Sequence, residues 1–90
     1  MKRRPKPALD LAERLELPTE ALGQLRLSLT GPHVVLAENH RGILEYGDSC
    51  IRLAGARHSA TVLGSELSLR AMNQRELLIT GKIHAVEWDG

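Results

Sequence analysis

From Leu25 onward the chain repeats every two residues and is interrupted at short, nearly regular intervals. Leu25, Leu27 and Leu29 alternate with Arg26, Ser28 and Thr30, the period of a strand with one wet face. The alternation returns in Ile51 and Leu53 around Arg52, and in Leu67, Leu69 and Ala71 against Glu66, Ser68 and Arg70. Residues 34–36, 60–63 and 77–79 are more continuously apolar and are expected to be the more buried strands. Breakers fall at Gly31-Pro32, 39–42, Gly47-Asp48, Gly55, Gly64-Ser65, Asn73 and Gly81, mostly 8 to 11 residues apart. Crossovers between parallel strands need about a dozen residues or more, so this spacing predicts antiparallel pairing. The expected fold is mostly β, a small antiparallel β-sandwich of seven or eight short strands. They are placed near 24–30, 33–38, 43–47, 50–54, 57–63, 66–71, 75–80 and 82–88. A β-roll or short β-solenoid is the alternative; the glycine spacing favours it, and the lack of a side-chain motif recurring at a fixed period opposes it.

Upstream the period changes. Residues 9–17, LDLAERLEL, predict a short helix capped by Asp10, with Glu13 at capping-box spacing and Leu11, Ala12 and Leu15 on one side. Pro18 ends it, and residues 19–22 add a turn before Gly23. A helix this short is not stable alone and has to dock on something. The chain is therefore divided into a basic, disordered tail over 1–8, a helical segment over 9–23 and an antiparallel β domain over 24–90, one domain overall.

Charge is unevenly placed. Lys2, Arg3, Arg4 and Lys6 are four of the 12 Lys and Arg, which leaves eight against 11 acids in the rest of the chain. Such a tail suits an anionic surface, where each cation contributes about 1 kcal/mol, or nucleic acid. With one Tyr, one Trp and no Phe, the sheet lacks the exposed aromatic platform that single-stranded nucleic acid prefers, so nucleic acid rests on the tail alone. The same scarcity means that Leu, Ile, Val and Ala must build the core, with Trp88 either closing one end of it or anchoring a partner. No apolar run of about seven residues follows the basic N-terminus, as a signal peptide requires, and none approaches the roughly 20 of a membrane span. Cys50 is the single cysteine, which excludes an internal disulfide or thiolate cluster and fits a reducing, cytoplasmic setting. At the start of a strand it is expected to act as a small hydrophobe.

Five polar residues, Glu38, Asn39, His40, Arg41 and Gly42, stand between two apolar runs. Asn at the first and Gly at the fourth position suit a type I turn, and Gly42 can take the left-handed conformation that closes a hairpin. Turn formation leaves Glu38, His40 and Arg41 unexplained. As chemistry, His40 lacks a nucleophile in a recognisable context, since Cys50, Ser49 and Ser28 sit in no nucleophile elbow. The histidines at 33, 40, 58 and 84 lack the close pairing of a zinc site. No catalytic residue, metal or cofactor is therefore assigned, and the loop is read as a hairpin carrying a recognition surface.

The block 38–46, ENHRGILEY, together with Leu17-Pro18, the strand 25–31, the segment Leu77-Leu78-Ile79-Thr80-Gly81-Lys82-Ile83 and Val86-Glu87-Trp88, resembles the YabP/YqfC family of bacterial sporulation proteins, closest to its YqfC branch. The resemblance covers roughly residues 14 to 89. It implies a small, mostly β, non-enzymatic protein of the mother cell during spore formation. It also implies a partner, the larger membrane-associated sporulation protein of the YqfD type. Residues 57–61 and 65–72 match only in alternation, and His84 departs from the family pattern. The function expected is that of a structural or interaction module, cytoplasmic or peripheral at a membrane, acting by self-association and by docking on that partner. The alternative is an anionic-surface or nucleic-acid binder working through Lys2, Arg3, Arg4 and Lys6.

Overall fold

The computed structural model of the protein describes residues 23–90. The basic tail expected over 1–8 and all but the last residue of the helical segment expected over 9–23 lie outside these residues. Within them are six strands: β1 (Arg26–Thr30), β2 (Val34–Glu38), β3 (Ile43–Tyr46), β4 (Cys50–Ala54), β5 (Ser59–Met72) and β6 (Glu76–Asp89). All six are hydrogen-bonded into one sheet in the order β1-β2-β6-β5-β4-β3. Every ladder is antiparallel, which rules out the solenoid, whose coils pair in parallel.

The first four strands fall where alternation puts them. The last four expected strands are two. Gly64-Ser65 and Gly81 do not end a strand; they sit inside β5 and β6, which run 14 residues each. The physical reason is close backbone approach. A Cβ on Gly64 would strike the Lys82 carbonyl oxygen, and one on Gly81 would come within 2.6 Å of the Glu66 carbonyl oxygen. Gly81 also has φ of +142°, and opposite it Glu66 is left-handed with φ of 55°. The register slips between Leu63 and Gly64, between Ser65 and Ser68, and between Leu69 and Ala71. Each slip is a bulge, which bends the strand and tightens its twist.

These bulges divide the sheet. On one side β1, β2, the start of β6 and the end of β5 line up, and directly opposed residues share a face. That gives the inward rows Leu29–Val35–Ile79–Leu69 and Leu27–Ala37–Leu77–Met72. On the other side β3, β4, the start of β5 and the end of β6 give Ile43–Leu53–Ala60–Trp88 and Tyr46–Ile51–Val62–Val86. The middle members of all four rows are at most 1% exposed, and both halves feed one buried cluster. A flat layer cannot do this. The sheet curls about its bulges until the two halves share their apolar faces. Leu25, just before β1, accordingly lies against Gly55, just after β4, where a Cβ on the glycine would sit 2.8 Å from that of Leu25.

The largest fully buried side chains are Val35, Leu77 and Ile79 from the first half and Ile51, Leu53 and Val62 from the second. At about 1.5–3 kcal/mol each, their burial is on the order of 10 kcal/mol, as large as the whole net stability of a small domain. The curl is thus a condition of folding. It follows that Gly64→Ala, which drives a methyl into backbone, lowers stability by about 3 kcal/mol or more, a fall in Tm of over about 10 °C for a chain of this size. Gly47→Ala, whose Cβ would meet the Cys50 carbonyl oxygen at an ordinary 3.6 Å, stays within about 0.5 kcal/mol of the parent. Thermal melting followed by circular dichroism compares the two.

Candidate functional site

The polar stretch 38–42 is not a hairpin. β2 pairs with β1 and β6, whereas β3 pairs with β4 at the far edge of the sheet. The stretch is a crossover that leaves one half of the curled sheet and enters the other, and its backbone bonds to both. The Asn39 and His40 N–H groups donate to the Arg75 carbonyl oxygen at 2.7 and 3.3 Å, in the turn between β5 and β6. Two residues later the Arg41 N–H donates to the Ala54 carbonyl oxygen at 2.8 Å, and the Ala54 N–H donates to that of Gly42 at 2.9 Å. The crossover therefore ties together the two ends of the sheet that lie away from the bend at Gly64.

The local conformation follows from this task. Asn39 takes the left-handed region, with φ of 65°, which Asn tolerates better than most residues, and its Nδ2 donates to the Gln24 carbonyl oxygen at 3.1 Å. Gly42 has φ of 129°, outside the left-handed helical region that a closing hairpin residue would occupy.

Among the described residues His40 is the one buried polar side chain, 5% exposed. The Gly42 N–H donates to its Nδ1 at 3.1 Å, and its Nε2 lies 3.0 Å from the Asn73 carbonyl oxygen. Since Nδ1 accepts, the neutral ring carries its proton on Nε2 and donates it to Asn73. Both ring nitrogens are occupied in holding the crossover to the β5–β6 turn. Neither is directed at Cys50, which is half-buried at the start of β4 opposite Leu63, at Ser49, whose carbonyl oxygen receives the Gly64 N–H, or at Ser28, which faces Leu36 on β1. Expected as an exposed recognition residue, His40 is a buried latch. Arg41 does face solvent. Among the described residues no three of His, Cys, Asp and Glu gather as a metal site requires.

Asn73 and Arg75 belong to the same arrangement and carry no chemical signal in the sequence beyond the breaker at 73. The Asn73 Oδ1 accepts the Arg75 and Glu76 N–H groups at 2.9 and 2.7 Å, an Asx-type turn. That turn presents the Asn73 carbonyl to His40 and the Arg75 carbonyl to the crossover. Beside it an open polar groove of about 610 Å³ is lined by Arg26, Glu38, Asn39, Gln74, Arg75 and Glu76, with Asn73 at its end. Glu38 and Glu76 are directly opposed in the ladder, a like-charge pair that is unfavourable by itself. Arg26 offsets it by pairing with Glu38 at 3.7 Å, and Asn73 Nδ2 by donating to Glu76 at 3.3 Å. The groove is mixed in sign, suited to a polar extended segment more than to a single strong anion.

Removing the His40 ring leaves the Gly42 N–H and the Asn73 carbonyl without partners, and each unsatisfied group costs about 1–3 kcal/mol. His40→Ala is expected to lose about 2–4 kcal/mol, whereas Arg41→Ala changes stability by less than about 0.5 kcal/mol; urea titration of the two variants measures the difference.

Two of the comparisons with known proteins return nothing: no protein-family model matches the chain, and no solved structure matches it. Among curated proteins, the chain is similar to one from Bacillus subtilis (strain 168) named Uncharacterized protein YqfC, with 28% identity over 79 residues that span 87% of this chain and 85% of that protein. This similarity supports a YqfC-like relationship.

Proposed function

We propose that the protein is a non-enzymatic interaction module of bacterial spore formation, self-associating and docking on a membrane-associated sporulation protein of the YqfD type, in the mother cell and at a membrane surface. The curled sheet then acts as a sandwich-like body whose two halves serve as facing layers. The observation that carries this reading is where the core ends. Each of the four inward rows runs out to where a strand has no neighbour on its outer side and finishes in a large, half-exposed apolar side chain: Leu29 on β1, Met72 on β5, Tyr46 on β3 and Trp88 on β6, at 52%, 51%, 58% and 53% exposure. Apolar rims beside open strand edges suit association with another chain by strand addition. The sporulation context rests on the resemblance of ENHRGILEY and its companion segments to the YabP/YqfC family and on the similarity to the YqfC protein.

The stretch expected to recognise a partner is accordingly divided. Asn39, His40 and Gly42 hold the crossover, while the solvent-facing Arg41 and, lining the groove, Arg75 offer side chains that the fold does not need. Arg75 contributes to the crossover through its backbone. A full-length chain with Arg41→Ala and Arg75→Ala therefore keeps its melting temperature and loses co-purification with the YqfD-type protein from sporulating cells. Loss of co-purification on deleting residues 1–6 instead, with a steep salt dependence, would move recognition to Lys2, Arg3, Arg4 and Lys6. A folded parent chain that never retains the YqfD-type protein would sink the docking reading.

A further inference from the structure

The four edges are not equally open. The outer edge of β5 is plugged: the Leu67 N–H donates to the Asp48 carbonyl oxygen at 2.8 Å, and the Leu69 N–H to the Tyr46 hydroxyl at 3.4 Å. β3 is four residues long and breaks register between Ile43 and Glu45. Short and bulged edges of this kind resist pairing. β1 has five residues and opens with Arg26, which is held by its ion pair to Glu38. Among the described residues the end of β6 has no such protection. On its outer side the Ile83 N–H donates to the Pro32 carbonyl oxygen at 2.7 Å, and beyond it no described residue bonds to that edge from His84 to Trp88. This stretch also carries the protein's one tryptophan, the residue type most enriched at interface hot spots.

We propose that this edge pairs with a second copy of the chain, antiparallel about a two-fold axis, with Val86 facing Val86 of the second copy. The proposal rests on the reading of the protein as a self-associating module and names the edge and register. A two-fold axis through an antiparallel pair places one residue opposite its own copy, and the candidates are Ala85, Val86 and Glu87. An axis at Glu87 would set two carboxylates against each other. An axis at Ala85 would place Glu87 against Ile83, which is buried and already bonded to the β1–β2 turn. An axis at Val86 sets Glu87 against Ala85 and Trp88 against His84, with no like charges opposed. It also continues the row Tyr46–Ile51–Val62–Val86 without a break into the second copy, so that the half-exposed Trp88 is covered at the rim of a shared apolar face.

The test is a sedimentation and light-scattering series on the full-length chain across micromolar concentrations, with circular dichroism to confirm folding. The parent is expected to form a dimer, and the emission of its single tryptophan to shift to the blue as concentration rises. Ala85→Glu, at an exposed position, places an acid opposite Glu87 twice in the dimer and raises the dissociation constant about tenfold. Combining Ala85→Glu with Glu87→Lys makes both pairs complementary and restores association. Leu29→Glu, on β1, leaves the dimer unchanged. A strict monomer overturns the proposal. So does a dimer indifferent to Ala85→Glu, or one lost with Leu29→Glu; these last two outcomes leave self-association standing and move it to another edge.

Discussion

Among the described residues the sheet buries one face with no second layer to lie against, and so has to use itself. In this chain the 14-residue pair β5 and β6 is the spine on which that happens, and the contact between Gly64 and the backbone of Lys82 is where it bends. Everything apolar depends on this bend. β2 extends one end of the spine and β4 the other, so Val35 and Ile79 on one side and Ile51 and Val62 on the other reach full burial only when the halves close. Small aliphatic side chains suffice because the layers come from one strand pair, with no loose second sheet to position.

Closure creates a second requirement at the far end. A curled sheet is held at its bend by continuous backbone, but its outer ends meet without a covalent link and need a fastening. The crossover from β2 to β3 supplies it, since it must pass between the halves in any case. Its four backbone hydrogen bonds to Arg75 and Ala54 form the seam, and the His40 ring reinforces it from within. A neutral imidazole suits this position because it donates from one nitrogen and accepts at the other, bridging an N–H two residues ahead and a carbonyl 33 residues away. The polarity of this stretch is thereby largely accounted for by structure, with Glu38 paired to Arg26 and the solvent-facing Arg41 side chain left over.

What alternation could reveal and what it could not follow from this geometry. β1 to β4 are legible because each is a short, partly apolar run with breaker residues on both sides. β5 and β6 were each expected as two strands because glycine marks a bulge and a turn alike; only the closeness of the Lys82 backbone to Gly64, a contact 18 positions along the chain, separates the cases. The stretch 38–42 misled for a related reason. Asn and Gly four residues apart satisfy a hairpin, but hairpin pairing is a relation between β2 and β3, and β2 pairs better with β6, whose Leu77 and Ile79 match Ala37 and Val35 in apolar register. The partners of His40 are backbone groups, which no side-chain pattern announces.

The same curl explains why apolar side chains remain at the rims. Closing a sheet into a barrel would pair its last strands and remove its edges, but here the halves are joined along the spine and the crossover, and among the described residues four strand edges lack a neighbouring strand. Inward rows that are continuous in the middle must then end somewhere, and they end in Leu29, Met72, Tyr46 and Trp88. Two of these edges are blunted from within the chain, by the Tyr46 hydroxyl and Asp48 on β5 and by brevity on β3. A chain that blunts some edges and leaves Trp88 beside an unblunted one has an asymmetry that folding alone does not require. Ala60, directly opposite Trp88, is fully buried, while Trp88 itself keeps 53% exposure. The half of Trp88 left exposed at the end of β6 is the surface that the association proposed above would cover.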